Sequence, residues 1–171
     1  MIHGRQGLGA PVAEGDRITL KPELKGQRAA RAPPVERVTL RSSIDGARLD
    51  TRIIGNPDAR QAIVFQHALA LNKLDWWRQF DLARRLPDYK LIFVDSRGHG
   101  ESDTGGREWE SDEDLPLIER EAHDLVDLLI AQHVERVIIV SHSIGGLRAS
   151  ALLQNNPLAL EHAGAATRAG T

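Results

Sequence analysis

The 171-residue sequence has no cysteine. That excludes disulfides and thiolate metal sites, and it fits a reducing cytoplasm. No apolar run approaches the length of a membrane span, so no membrane association is expected. Arg5 lies near the start, but no apolar segment follows it as a secretory signal requires. The net charge is −2, which gives no field for nucleic acid or an anionic surface. The histidines are His3, His67, His99, His123, His133, His142 and His162. None forms an HxxxH or HxH pair, so no zinc site is expected. Gly7-Leu8-Gly9 follows no strand and lacks a third glycine in place, so it is no dinucleotide fingerprint. No internal repeat is visible.

What is present is one globular domain's worth of chain. Hydrophobic residues make up 41% and charged residues 27%, ordinary values for a soluble domain. Residues 1–34 are punctuated by glycine and proline and carry no periodicity, so they read as a mobile leader. Residues 35–40 and 49–54 flank Asp45-Gly46 and predict an antiparallel hairpin. Ala62–Phe65, Leu91–Asp95 and Val137–Val140 are short continuous apolar runs, the pattern of strands covered on both faces. Leu74–Leu86 predicts a helix. Pro116 to His133 predicts another, with Ile118, Ala122, Leu125, Val126, Leu129 and Ile130 in one stripe, Asp114 as N-cap and Pro116 in the first turn. Gly145–Asn156 predicts a third. Alternation of buried strands and helices implies an α/β fold with a mostly parallel sheet and helices on both faces.

The chemistry is concentrated in Val137–Gly146, VIIVSHSIGG. An apolar strand leads directly into a turn carrying Ser143 and then into a helix. This is the pattern of a nucleophile elbow, where a strained turn lifts a serine hydroxyl above a sheet. The N–H of Ile144 would face an oxyanion at a helix N-terminus. Ten residues alone leave open a plain serine N-cap at a strand-to-helix turn. Earlier in the chain, Asp95-Ser96-Arg97-Gly98-His99-Gly100-Glu101-Ser102 follows a strand, and VFQHALALNKLDWW follows the strand before it.

These three segments, in this order and spacing, resemble the N-terminal half of the α/β-hydrolase superfamily over about residues 35–156. The resemblance implies the α/β-hydrolase fold, Ser143 as nucleophile, and oxyanion N–H groups from Ile144 and Leu69. It implies structural roles for Asp95, Arg97, Gly98, His99, Gly100 and Gly145. His99 is then not the catalytic base, and His142 has a packing role. The implied activity is hydrolysis of an ester, lactone or related acyl bond in a small-molecule substrate, with no cofactor and no metal.

Several positions depart from the family's pattern. Ser141 and Ala68 stand where glycine is usual. The family also continues into further strands, a late acid and a later histidine base. Leu152–Pro157 still fits, but residues 158–171 read as an atypical tail with no strand. The expectation is a truncation near Pro157, with acid and base missing and little turnover from this polypeptide alone. Glu161 and His162, neighbours in a tail without scaffold, are not expected to replace them. The alternative is a non-catalytic half-fold that binds a partner or self-associates through an open sheet edge. Trp76 and Trp77 could line a pocket or pack in the core. Glu108, Glu110, Asp112, Glu113 and Asp114 read as a solvated loop and an acidic helix start rather than a metal site.

Overall fold

A computed structural model of the chain describes residues 32–105 and 117–155. Residues 1–31 of the expected leader, the expected tail, the acidic cluster at 108–114 with the Asp114 cap, and Pro116 lie outside those residues. The hairpin forms from β1 (Val35–Arg41) and β2 (Arg48–Gly55), paired antiparallel. Its turn places Gly46 at φ +76, left-handed backbone that favours glycine. β3 (Gln61–Gln66), β4 (Tyr89–Val94) and β5 (Arg136–Ser141) follow, with α1 (Leu117–Ala131) before β5 and α2 (Gly145–Asn155) after it.

The sheet order is β1-β2-β4-β3-β5. β3 pairs parallel with both β4 and β5, while β2 meets β4 antiparallel. The sheet is therefore mixed: a parallel centre carries an antiparallel hairpin on one flank. β3 and β4 are buried over five of their six residues, as expected for strands covered on both faces. One face packs Val64, Ile92, Val94 and Val137 against Ala122, Leu125, Leu128 and Leu129 of α1 and Leu152 of α2. The other face packs Ile63, Phe65, Leu91 and Phe93 against Ala83, with Trp76 and Phe80 alongside.

Two elements differ from expectation. The helix expected over 74–86 forms as 3-10 turns over residues 73–84, broken by a kink at Trp76 with φ −97, ψ 16. Trp76 lies 5.3 Å from Phe65 and Phe80 lies 4.6 Å from Phe93, centroid to centroid. Trp76 and Phe80, four residues apart, share one face and set both rings on the sheet. β5, expected as fully buried, buries only Val137, and Ile138 is 43% exposed. Among the described strands β5 has one neighbour, β3, so it forms an edge rather than a centre.

Candidate active site

β3 and β5 run parallel in register, Gln66 opposite Ser141. The loops that leave their C-terminal ends therefore start side by side. The His142 N–H donates to the Gln66 carbonyl at 3.0 Å and extends the pairing by one residue. The chain then turns sharply. Ser143 has φ +54, in the left-handed region that a non-glycine residue enters at a cost. Gly145, Gly146 and Leu147 donate their N–H groups back to His142, Ser143 and Ile144 and start α2. Helix and strand approach closely here. A Cβ on Gly145 would stand 2.9 Å from both Cβ and O of Gln66, whereas one on Gly146 would meet nothing within 4 Å. Ser143 is exposed. Its hydroxyl has no hydrogen-bond partner among the described residues, and neither does the N–H of Ile144. The serine-cap alternative therefore finds no cap bond at this turn.

The loop after β3 faces this turn. His67 is completely buried. Its Nε2 accepts the Ser96 N–H at 3.0 Å, so Nδ1 carries the proton and donates to the Ala68 carbonyl at 2.8 Å. Burial holds the ring below its ordinary pKa, reinforced by the nearby Arg148 charge. Ala68 is buried, while Leu69 is 63% exposed with an N–H that bonds nothing among the described residues. The left-handed residue in this loop is Ala70, at φ +59, rather than Ala68. Ala68 thus does without the left-handed backbone that a glycine would permit.

The loop after β4 supports both. The Asp95 carboxylate, with no exposure, accepts N–H groups from Lys73 at 2.6 Å and Glu101 at 3.0 Å. Gly100, at φ +53, leaves no room for a side chain, since a Cβ would overlap that carboxylate. Arg97 is buried and forks onto Asp124 of α1, Nε at 2.6 Å and Nη2 at 2.8 Å, with further bonds to Asp45 and Ser42. These partners outweigh burial and raise the guanidinium pKa still further. His99 directs Nδ1 to the Arg97 carbonyl and tilts against the His67 ring at 5.0 Å. The loop is thus a scaffold that fastens the hairpin, α1 and the 3-10 helix together.

A sequence model of the alpha/beta hydrolase family matches residues 63–170, most of the chain and both loops just described. The chain belongs to the alpha/beta hydrolase family. Two curated relatives are similar to it. One is 3-oxoadipate enol-lactonase 1 of Acinetobacter baylyi, 30% identical over 104 residues, 61% of this chain and 35% of the relative. The other is a Bacillus subtilis protein provisionally named 2-succinyl-6-hydroxy-2,4-cyclohexadiene-1-carboxylate synthase. It is 29% identical over 115 residues, 66% of this chain and 38% of the relative. A solved Burkholderia cenocepacia structure, provisionally described as an aryl esterase, superposes with TM-score 0.61 at 29% identity, over 76% of this chain and 44% of that one. The chain thus spans little more than a third of the length of the curated relatives it matches.

The region around these loops contains residues that pattern reading did not single out. Lys73, 4% exposed, sets its Nζ 2.6 Å from carboxylate oxygens of both Asp50 and Asp95, and 3.1 Å from Glu101. The three carboxylates lie within 4.8 Å of one another, metal-like spacing, but the ammonium supplies the cation. The clustering spans β2, the 3-10 helix and the loop after β4, so no local spacing announces it. Arg148 and Glu121 are buried at 1% and 3%. Here a signal existed: Arg148 is three residues after Gly145 and four before Leu152, and Glu121 lies between Ile118 and Leu125 on the apolar stripe of α1. His142, expected to pack, is instead on the surface, with Nδ1 3.3 Å from the Asp75 carboxylate. Trp76 packs on Phe65, while Trp77 is 61% exposed. No helix among the described residues is long and apolar enough to cross a membrane.

Proposed function

We propose that this chain carries the nucleophile and the oxyanion hole of a serine hydrolase acting on an ester, lactone or related acyl bond. The observation that supports it most is the pairing of a strained Ser143 with two unbonded N–H groups, those of Ile144 and Leu69, at the ends of adjacent parallel strands. Strain of this kind persists where the surrounding structure enforces it and is concentrated at functional sites. Ser143 Oγ would attack the acyl carbon and lose its proton to a base. The carbonyl oxygen would gain charge between the two N–H groups, and collapse would expel the leaving alkoxide, which takes up a proton. Water would then release the acid and restore the serine. The names of the lactonase and esterase relatives agree with an acyl substrate. His67 is not the base in this scheme, because both ring nitrogens are committed. Without an oriented base, acylation falls by orders of magnitude, leaving the rate that the oxyanion hole alone supports.

The test is covalent labelling with a fluorophosphonate, read by mass spectrometry. The expected result is one adduct on Ser143, absent in Ser143→Ala. Labelling that Ser143→Ala leaves unchanged sinks the proposal. A second reading, association through the β5 edge, is favoured by the exposure of Ile138 on that strand. Size-exclusion chromatography separates the two: a monomer labelled at Ser143 excludes the second, and an unlabelled oligomer favours it.

A further inference from the structure

We propose that Arg148 is the positioning residue of the oxyanion loop, an inference that rests on reading Ser143 and Leu69 as catalytic. Arg148 lies on α2 just after the elbow, and its side chain is 1% exposed. A buried guanidinium needs partners for its charge and its donors. One partner explains the charge: Nε donates to Glu121 Oε2 on α1 at 2.8 Å. The second is of another kind. Nη1 donates at 2.9 Å to the main-chain carbonyl of His67, the first residue of the loop after β3.

That carbonyl is the root of the loop's geometry. Its neighbour Gln66 ends β3, so the ladder no longer fixes the peptide that joins His67 to Ala68. Arg148 fixes it instead. The next peptide is fixed by the His67 ring, whose Nδ1–H holds the Ala68 carbonyl. In a trans peptide, C=O and N–H point in opposite directions. Holding the Ala68 oxygen therefore aims the Leu69 N–H the other way. Two successive peptides are pinned, the first by Arg148 and the second by the His67 ring and the Leu71 N–H. The helix that presents Ser143 thus also sets the loop that presents the second N–H. A planar fork reaches a carboxylate and a carbonyl at once, which a lysine ammonium does not match.

Two variants separate positioning from charge balance. Arg148→Lys keeps the charge opposite Glu121 but loses the fork. The double variant Arg148→Met with Glu121→Gln removes both charges and leaves neither stranded. Both are expected to unfold cooperatively, like the parent, and to label at Ser143 about 10- to 100-fold more slowly. That is less than the roughly hundred- to thousand-fold cost of deleting an oxyanion donor outright. The amide shifts of Ala68 and Leu69 should move, because the peptide that Arg148 holds is released, while the His67 ring keeps its Nδ1–H tautomer through Ser96. Parent-like labelling in both variants, or unchanged Ala68 and Leu69 amide shifts, overturns the proposal. If the parent itself shows no Ser143-dependent labelling, the catalytic reading fails, and the amide shifts alone decide whether Arg148 sets the loop. If the double variant does not fold, Arg148→Lys decides.

Discussion

Replacing Lys73 by methionine tests whether the site is held by charge. Methionine keeps most of the side chain's length and removes the ammonium. The structure leaves three carboxylates to absorb the loss. Glu101 is 57% exposed and its contact is worth under about 1 kcal/mol. Asp95 and Asp50 are different, with side chains 0% and 4% exposed and an oxygen of each 2.6 Å from Nζ. Breaking a buried pair typically costs about 3–5 kcal/mol, because a charge is left uncompensated. Both acids retain other partners, two N–H groups for Asp95 and the Arg37 guanidinium for Asp50. The expected loss therefore lies at the lower end, about 3 kcal/mol.

Urea unfolding at neutral pH would show this as a midpoint lowered by roughly 1–3 M, given slopes of about 1–3 kcal/mol/M for small domains. Adding Asp50→Asn removes one stranded charge and should restore about 1–2 kcal/mol, a coupling that independent sites do not show. A single-variant loss below about 1 kcal/mol refutes the reasoning. So does a double variant less stable than Lys73→Met alone.

Three further outcomes are expected. Ser143→Gly should raise stability by about 1 kcal/mol in thermal unfolding while abolishing labelling, because it relieves backbone at φ +54; a destabilised variant contradicts the strain. Gly145→Ala should cost about 1–3 kcal/mol through its 2.9 Å approach to Gln66, whereas Gly146→Ala should cost nothing or stabilise the helix; equal effects in urea melts contradict the close packing. Stability should also follow pH with a sign set by the buried groups. The His67 pKa is lowered mainly by burial, so stability falls as pH drops below about 6.5, where the unfolded chain alone takes up the proton. For Asp50, Lys73 and Arg37 outweigh burial and lower the pKa, so its stabilisation is lost as pH falls from about 3.8 through its folded value. For Lys73 the acids outweigh burial and raise the pKa, so its stabilisation persists to about 10.5 and is lost above. A flat profile between pH 7 and 5 in His67-intact protein contradicts the buried neutral ring.

Local pattern carried the fold a long way. Apolar runs at 62–65, 91–94 and 137–140 mark β3, β4 and β5, because a short continuous apolar run is a local property of the sequence. The stripe from Ile118 to Ile130 marks α1 for the same reason. The elbow is legible because a strained turn needs small residues beside a serine, and Gly145 is one. What escaped depends on contacts remote in sequence. The exposure of Ile138 answers to sheet order, since an apolar run reads alike at the centre and at the edge. The partners of Lys73 come from residues 22 to 28 positions away and from β2, so the lysine looks like any solvated one until the strands assemble.

These remote contacts share a purpose in the fold. Three loops leave the C-terminal ends of β3, β4 and β5, and loops expose backbone groups that a sheet would otherwise satisfy. Each is tied to another by a polar bond, buried in all but one case. The His67 ring receives the Ser96 N–H and joins the first loop to the second. Lys73 and its own N–H bind Asp95 and join them again beyond the turn. The Gln66 carbonyl takes the His142 N–H, and Arg148 holds the His67 carbonyl, joining the first loop to the third. Apolar packing could press these loops together but not fix the direction of an N–H, which is what an oxyanion requires. Polar ties fix direction, at the cost of burying charge. A stability loss at Lys73 thus reports the charge balance of these ties, and a rate loss at Arg148 the direction of the N–H that they hold.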